Sequence, residues 1–188
     1  MKKFNVYLLL IFTMLSLSFC RNNRASDTVD AAKESNDQKE VMNEDQSDFL
    51  VEATNGGMLE VEMGKLAQDK ASHARVKAFG SMMVKDHTEL NQEIKDLASK
   101  KQLTLPGSIA SDEQDDLNKL RKLSGRDFDQ EYMRMMVDDH EKDIKKFEDA
   151  SENHKDSDVQ TFAAKTLPKL RAHLDSAKMI RDAIRKSR

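Results

Sequence analysis

Tryptophan is absent from this chain, and cysteine occurs once, at Cys20. A lone cysteine excludes an internal disulfide framework, so a packed core must supply the stability. There are two prolines, two tyrosines and six glycines, and strand-forming residues and turn clusters are sparse, which argues against a β fold. An excess of positive charge is missing as well. The formal net charge is −3, and since Lys2 and Lys3 are the only charges of residues 1–19, their loss would leave −5. Nucleic acid is therefore not expected as a partner, because it favours a basic face. The sequence shows no Ser-His-Asp arrangement, P-loop or glycine-rich phosphate loop, and no catalytic motif favours an enzyme. Gly56-Gly57 sits inside a helical pattern, where it permits close helix approach rather than cradling phosphate.

The leader is what a secreted protein needs. Lys2 and Lys3 precede an apolar run from Val6 to Leu15, with Thr13 its only polar residue, and Leu17-Ser18-Phe19-Cys20 follows. Residues 1–19 read as a signal peptide, too short for a membrane span. Cys20 stands where a bacterial lipobox places its lipidated cysteine, although Phe19 departs from the usual small residue. The reading is a lipoprotein held to the membrane through Cys20; the alternative is an ordinary secretory signal with an incidental cysteine. Arg21 is not the aspartate that resembles an inner-membrane retention signal, which points to the outer membrane, facing the periplasm. Residues 21–46 have almost no large apolar side chains, so 20–46 reads as the lipidated cysteine and a disordered tether with a reach of about 30 Å.

From Ser47 the apolar residues recur with helical period. Phe49, Leu59, Met63 and Leu66 mark a helix over about 48–71, and Val76, Phe79, Met83, Leu90 and Ile94 one over about 73–101. Phe128, Tyr132, Met136 and Phe147 mark about 127–153, and Val159, Phe162, Leu170 and Ile180 about 157–186. A short helix is predicted over about 111–123, and Ser111 with Gln114 and Ser157 with Gln160 read as capping boxes. Pro168 falls on an outer face, where a bend is tolerated. Short connections make each flanking pair an antiparallel hairpin, and the long middle connection can cross the bundle, as in ferritin-like folds. The expectation is an all-α, ferritin-like four-helix bundle over 47–188, with a short extra helix in the crossover.

One pattern occurs twice. Phe79-Gly-Ser-Met-Met-Val-Lys-Asp86-His87 and Tyr132-Met-Arg-Met-Met-Val-Asp-Asp139-His140 share aromatic, Met-Met-Val and Asp-His in one register. On helical wheels His87, His140 and His173 face the apolar stripes, as does Glu60; Asp139 borders the stripe and Asp143 lies near its centre. Each of Glu60, His87, His140 and His173 is also near the midpoint of its helix, and in an antiparallel bundle midpoints meet. Burying such groups costs several kcal/mol unless they pair or bind a metal. Two readings stay open. One is a transition-metal site with Glu60, His87, His140 and His173 as ligands, and Asp86, Asp139 and Asp143 as supporting or additional ligands. The other is a self-satisfied polar network that fixes helix register. Met83 and Met136 precede His87 and His140 by one turn; they read as core filling, or as thioethers that with imidazole suit Cu(I), whereas His with carboxylate suits Fe, Mn or Zn. His73 and His154 lie at helix ends and read as solvated.

These residues resemble the bacterial envelope family known as domain of unknown function 4142. The likeness rests on Gly56-Gly57-Met-Leu-Glu60-Val-Glu-Met-Gly64-Lys-Leu-Ala67, both Met-Val-x-Asp-His motifs, Phe128-Asp129-x-x-Tyr132, and Ala164-Lys-Thr-Leu-Pro168-x-Leu-x-x-His173-Leu. It spans about 47–186 and implies an exported, ferritin-like bundle with no established activity. True ferritins carry Glu-x-x-His on two helices; here Val84, Val137 and Leu170 stand three before the histidines, which speaks against a carboxylate-rich ferroxidase centre.

Overall fold

A helical period in the apolar residues becomes six helices: α1 (Thr28–Lys39), α2 (Glu44–Lys70), α3 (Ala74–Lys101), α4 (Ser111–Arg121), α5 (Gly125–Asn153) and α6 (Ser157–Lys186). The computed structural model describes residues 27–39 and 42–186; the leader and Cys20 lie outside the described residues. Pro168 is exposed on α6, on the side away from the core.

The caps of three helices differ from the sequence reading, because in each a different side chain supplies the acceptor. Asn43 Oδ1 accepts the Asp45 amide, so α2 begins at Glu44 with a polar first turn that carries no apolar stripe. At α6 the cap is Asp156, whose Oδ1 accepts from the amides of Asp158 (3.0 Å) and Val159 (3.2 Å), rather than Ser157. Ser111 is not a capping residue either: its amide (2.7 Å) and hydroxyl (2.9 Å) both donate to Asp27, which comes from the other end of the chain.

The expected tether contains α1. This helix packs on α2, with Ala32 and Asn36 buried. Asn36 donates to the Thr104 carbonyl (3.0 Å) and accepts from the Thr104 amide (2.7 Å), and Lys33 reaches Asp48 and Glu52. Low hydrophobicity argued for disorder over the whole segment; a small residue and one bidentate amide are enough to seat 28–39 on a bundle already folded.

The α2–α3 and α5–α6 pairs form the two hairpins, with α2 against α5 and α3 against α6. Gly64 and Gly80 bring the first hairpin close: a Cβ on Gly64 would lie 2.7 Å from the Gly80 carbonyl oxygen. Ala71 pairs with Gly125, and buried Asp129 accepts from the amides of Ser72 (3.0 Å) and His73 (2.9 Å). The start of α5 is thereby held at the start of α3, so the crossover carrying α4 runs the length of the bundle. This is the ferritin-like arrangement.

The core is divided. Leu59, Met63, Val76, Met83, Tyr132 and Met136 belong to one apolar cluster, and Phe49, Leu90, Ile94, Ile144, Phe147 and Leu170 to another. The boundary between them falls at Glu60, His87, His140 and His173.

Candidate metal centre

Glu60 is 2% exposed, His87 1%, His140 0% and His173 2%. Four inward polar side chains on four helices are thus buried between the two apolar clusters, and burial is the main force on their protonation. It raises Glu60 to about 7, helped by Asp139 and opposed by His140. It lowers His87 and His140 to about 4, against the pull of nearby carboxylates, and lowers His173 despite its bond to Asp86. The rings are therefore neutral near pH 7, each with one N–H and one lone pair.

The partners decide which nitrogen carries the proton. His140 Nδ1 lies 2.9 Å from the Met136 carbonyl, which can only accept, so Nδ1 holds the hydrogen and Nε2 the lone pair. His173 Nε2 donates to Asp86 Oδ2 at 2.9 Å, leaving its lone pair on Nδ1. Asp86 is well suited to accept: burial pushes its carboxyl up, but the His173 bond and Lys169 outweigh that and hold it below the usual range. His140 Nε2 and His173 Nδ1 then face each other at 3.3 Å with no proton between them. Two opposed lone pairs are unfavourable alone; two nitrogens at that separation are what a tetrahedral ion with bonds of about 2.0–2.1 Å takes up.

One nitrogen each of His87, His140 and His173 lies within 4.8 Å of the others. His87 Nδ1 sits 2.7 Å from Glu60 Oε2, and His140 Nδ1 sits 3.3 Å from Glu60 Oε1. The His87 approach is off the line of a hydrogen bond, so both Glu60 oxygens and both His87 nitrogens are buried without one. Glu60 thus lies against Nδ1 of both rings, and for His140 this is the nitrogen turned away from His173, the position from which a carboxylate orients an imidazole. The donor set fits a metal ion: three neutral imidazoles with one nitrogen of each close together, and with His140 Nδ1 and His173 Nε2 turned to oxygens.

Asp86 touches His173 from the α3 side. Asp139 and Asp143 lie on the opposite side, with Glu60, in a cleft of about 530 Å³ lined from α2, α4, α5 and the start of α1. Neither makes a hydrogen bond or ion pair to a layer histidine among the described residues. Burial raises Asp139 to about 6, with Asp138 adding and Lys142 opposing; burial and then Glu60 raise Asp143 to about 8. Glu113, on α4, was not legible beforehand, because nothing in the crossover's sequence tells where α4 docks. Asn55 orients it, donating to Glu113 and accepting the Ala110 amide at 2.8 Å. His73 caps α3, accepting the Arg75 amide at 3.2 Å. His154 is not solvated as expected: it is buried edge-on to Phe49, with centroids 5.4 Å apart.

The sequence profile of DUF4142, described as a domain of unknown function, matches residues 31–180. The chain belongs to this family. As a DUF4142 protein it also shares its fold with a DUF305 fragment from Deinococcus radiodurans, known from a crystal structure. The likeness covers 76% of this chain and 98% of that one, with a TM-score of 0.67 and 10% identity. At that identity the comparison speaks for the fold alone. A search of curated proteins returns no match.

Proposed function

We propose that this DUF4142 chain is a cell-envelope lipoprotein whose bundle binds one transition-metal ion through His87, His140 and His173. Glu60 and Asp86 orient the rings, and Cys20 supplies the membrane anchor. The observation that carries the metal reading is the pair of lone pairs facing at 3.3 Å, with the third ring alongside. Three imidazoles suit Cu, Zn or Fe, and three protein ligands leave a fourth position open, as in catalytic rather than structural zinc sites.

A second reading is a structural or interaction domain whose polar layer only fixes register. The bonds from His173 to Asp86 and from His140 to Met136, which need no ion, favour it.

Elemental analysis of protein purified without chelator, with and without His140→Ala, separates the two. The metal reading expects about one equivalent in the native protein and loss of tight binding in the variant, with helicity retained. The network reading expects no metal in either protein and a stability loss of about 1–3 kcal/mol in the variant.

A further inference from the structure

Glu60 lines the cleft between α2, α4 and α5, whereas the layer histidines do not reach it. An ion that reaches the rings must come from the side, because the apolar clusters close the bundle in both directions along its axis.

The inner wall of this cleft is built from two pairs of residues, each one helical turn apart. Gly56 and Glu60 stack on α2, and Asp139 and Asp143 stack on α5. Gly56 has no packing reason to be glycine. A Cβ there would meet only Asp143 Oδ2, at 4.0 Å, and its backbone is ordinary helix. Its neighbour differs: a Cβ on Gly57 would meet the Asn91 side-chain amide on α3. What Gly56 does is leave open the surface above Glu60.

Charge points the same way. Eight acidic residues and two lysines line the cleft. Lys146 is engaged by Glu52 at 2.7 Å and Lys142 lies 3.7 Å from Asp139. Asp143 has no hydrogen-bond or ion-pair partner among the described residues, and Asp139 Oδ2 is buried without a hydrogen bond. A concave, one-signed surface with low-dielectric walls concentrates ions of the opposite sign.

We infer that metal cations load the histidine layer through this cleft, drawn in by Asp139 and Asp143 and passing over Gly56 beside Glu60. The inference rests on the metal-binding reading above. It makes the centre an exchanging site rather than a sealed one.

Stopped-flow mixing of the purified chain with Co²⁺ at about pH 8.5, above the folded values of Asp139 and Asp143, followed by the visible absorption of nitrogen-ligated cobalt, tests it. Asp139→Asn/Asp143→Asn is expected to slow association by about tenfold or more and to flatten its dependence on ionic strength. Gly56→Leu, which keeps the charge and fills the passage, is expected to slow association and dissociation together, with Kd changing by less than about threefold. Circular dichroism checks that the variants fold; if the double variant does not, Gly56→Leu and Glu113→Gln decide. Native-like loading in the folded variants overturns the route and leaves the metal site standing. No cobalt binding by the native chain overturns both.

Discussion

At the scale of single residues, the layer makes stability depend on pH. Glu60, Asp139 and Asp143 have folded values raised above the ordinary carboxylate range, to about 7, 6 and 8. Their contribution is full below the unfolded values and is lost as pH rises through the folded ones. His87 and His140, lowered to about 4, act in the opposite sense and lose their contribution as pH falls from about 6.5 to 4. Between about 4.5 and 6 the two sets largely offset each other. Above 6.5 the unfolded histidines lose their protons as well, so the offset fades and the carboxylates dominate. The urea midpoint of the metal-free protein should therefore fall between pH 6.5 and 8, and Glu60→Gln should make that fall shallower. An unchanged slope in the variant would show that Glu60 ionises without cost.

Asp129 offers a second residue test. It accepts two amides from the α2–α3 turn while 2% exposed. Asp129→Ala leaves those donors to find new partners and should cost about 2–3 kcal/mol, measured by chemical denaturation. A loss below about 0.5 kcal/mol would mean that the turn holds itself in place.

Among the elements, α1 and α4 are the ones whose positions matter most beyond the bundle. Asp27, just before α1, accepts from the amide and hydroxyl of Ser111 at the head of α4, and both segments border the acidic cleft. Yet α1 contributes no residue to either apolar cluster that surrounds the layer. Removing residues 20–42 should accordingly leave a helical, cooperatively melting bundle, weaker by about 1–2 kcal/mol through the lost Asn36 bonds and the Lys33 pairs. Circular dichroism melts of the two forms give the answer; loss of cooperativity would show that α1 is part of the folding unit. The long helices were legible because their stripes are long and regular. α1 was not, because its seat depends on Thr104, Glu52 and Asp48, which are distant in sequence.

For the whole molecule, the lipoprotein reading predicts that Cys20→Ser moves the protein from the membrane fraction to the soluble fraction. A variant that stays in the membrane fraction, or a native N-terminus mapped elsewhere than Cys20, would remove the anchor from the proposal. No described helix is long and apolar enough to cross a membrane.

The sequence by itself determined the helix count of the bundle, the long crossover, and the mid-helix depth of Glu60, His87, His140 and His173. Depth and facing follow from local periodicity, and in antiparallel hairpins equal depth brings midpoints together whatever the handedness. Only the tertiary structure decided the roles within that layer. A helical wheel gives the direction of a Cβ, not which ring nitrogen meets a carbonyl. It therefore could not set Glu60 against Nδ1 of His87 and His140, nor leave His140 Nε2 and His173 Nδ1 facing at 3.3 Å. Nor could it show that Asp139 and Asp143 line a cleft with Glu113. That depends on how the crossover lays α4 over α2 and α5, a matter of contacts between segments far apart in the chain.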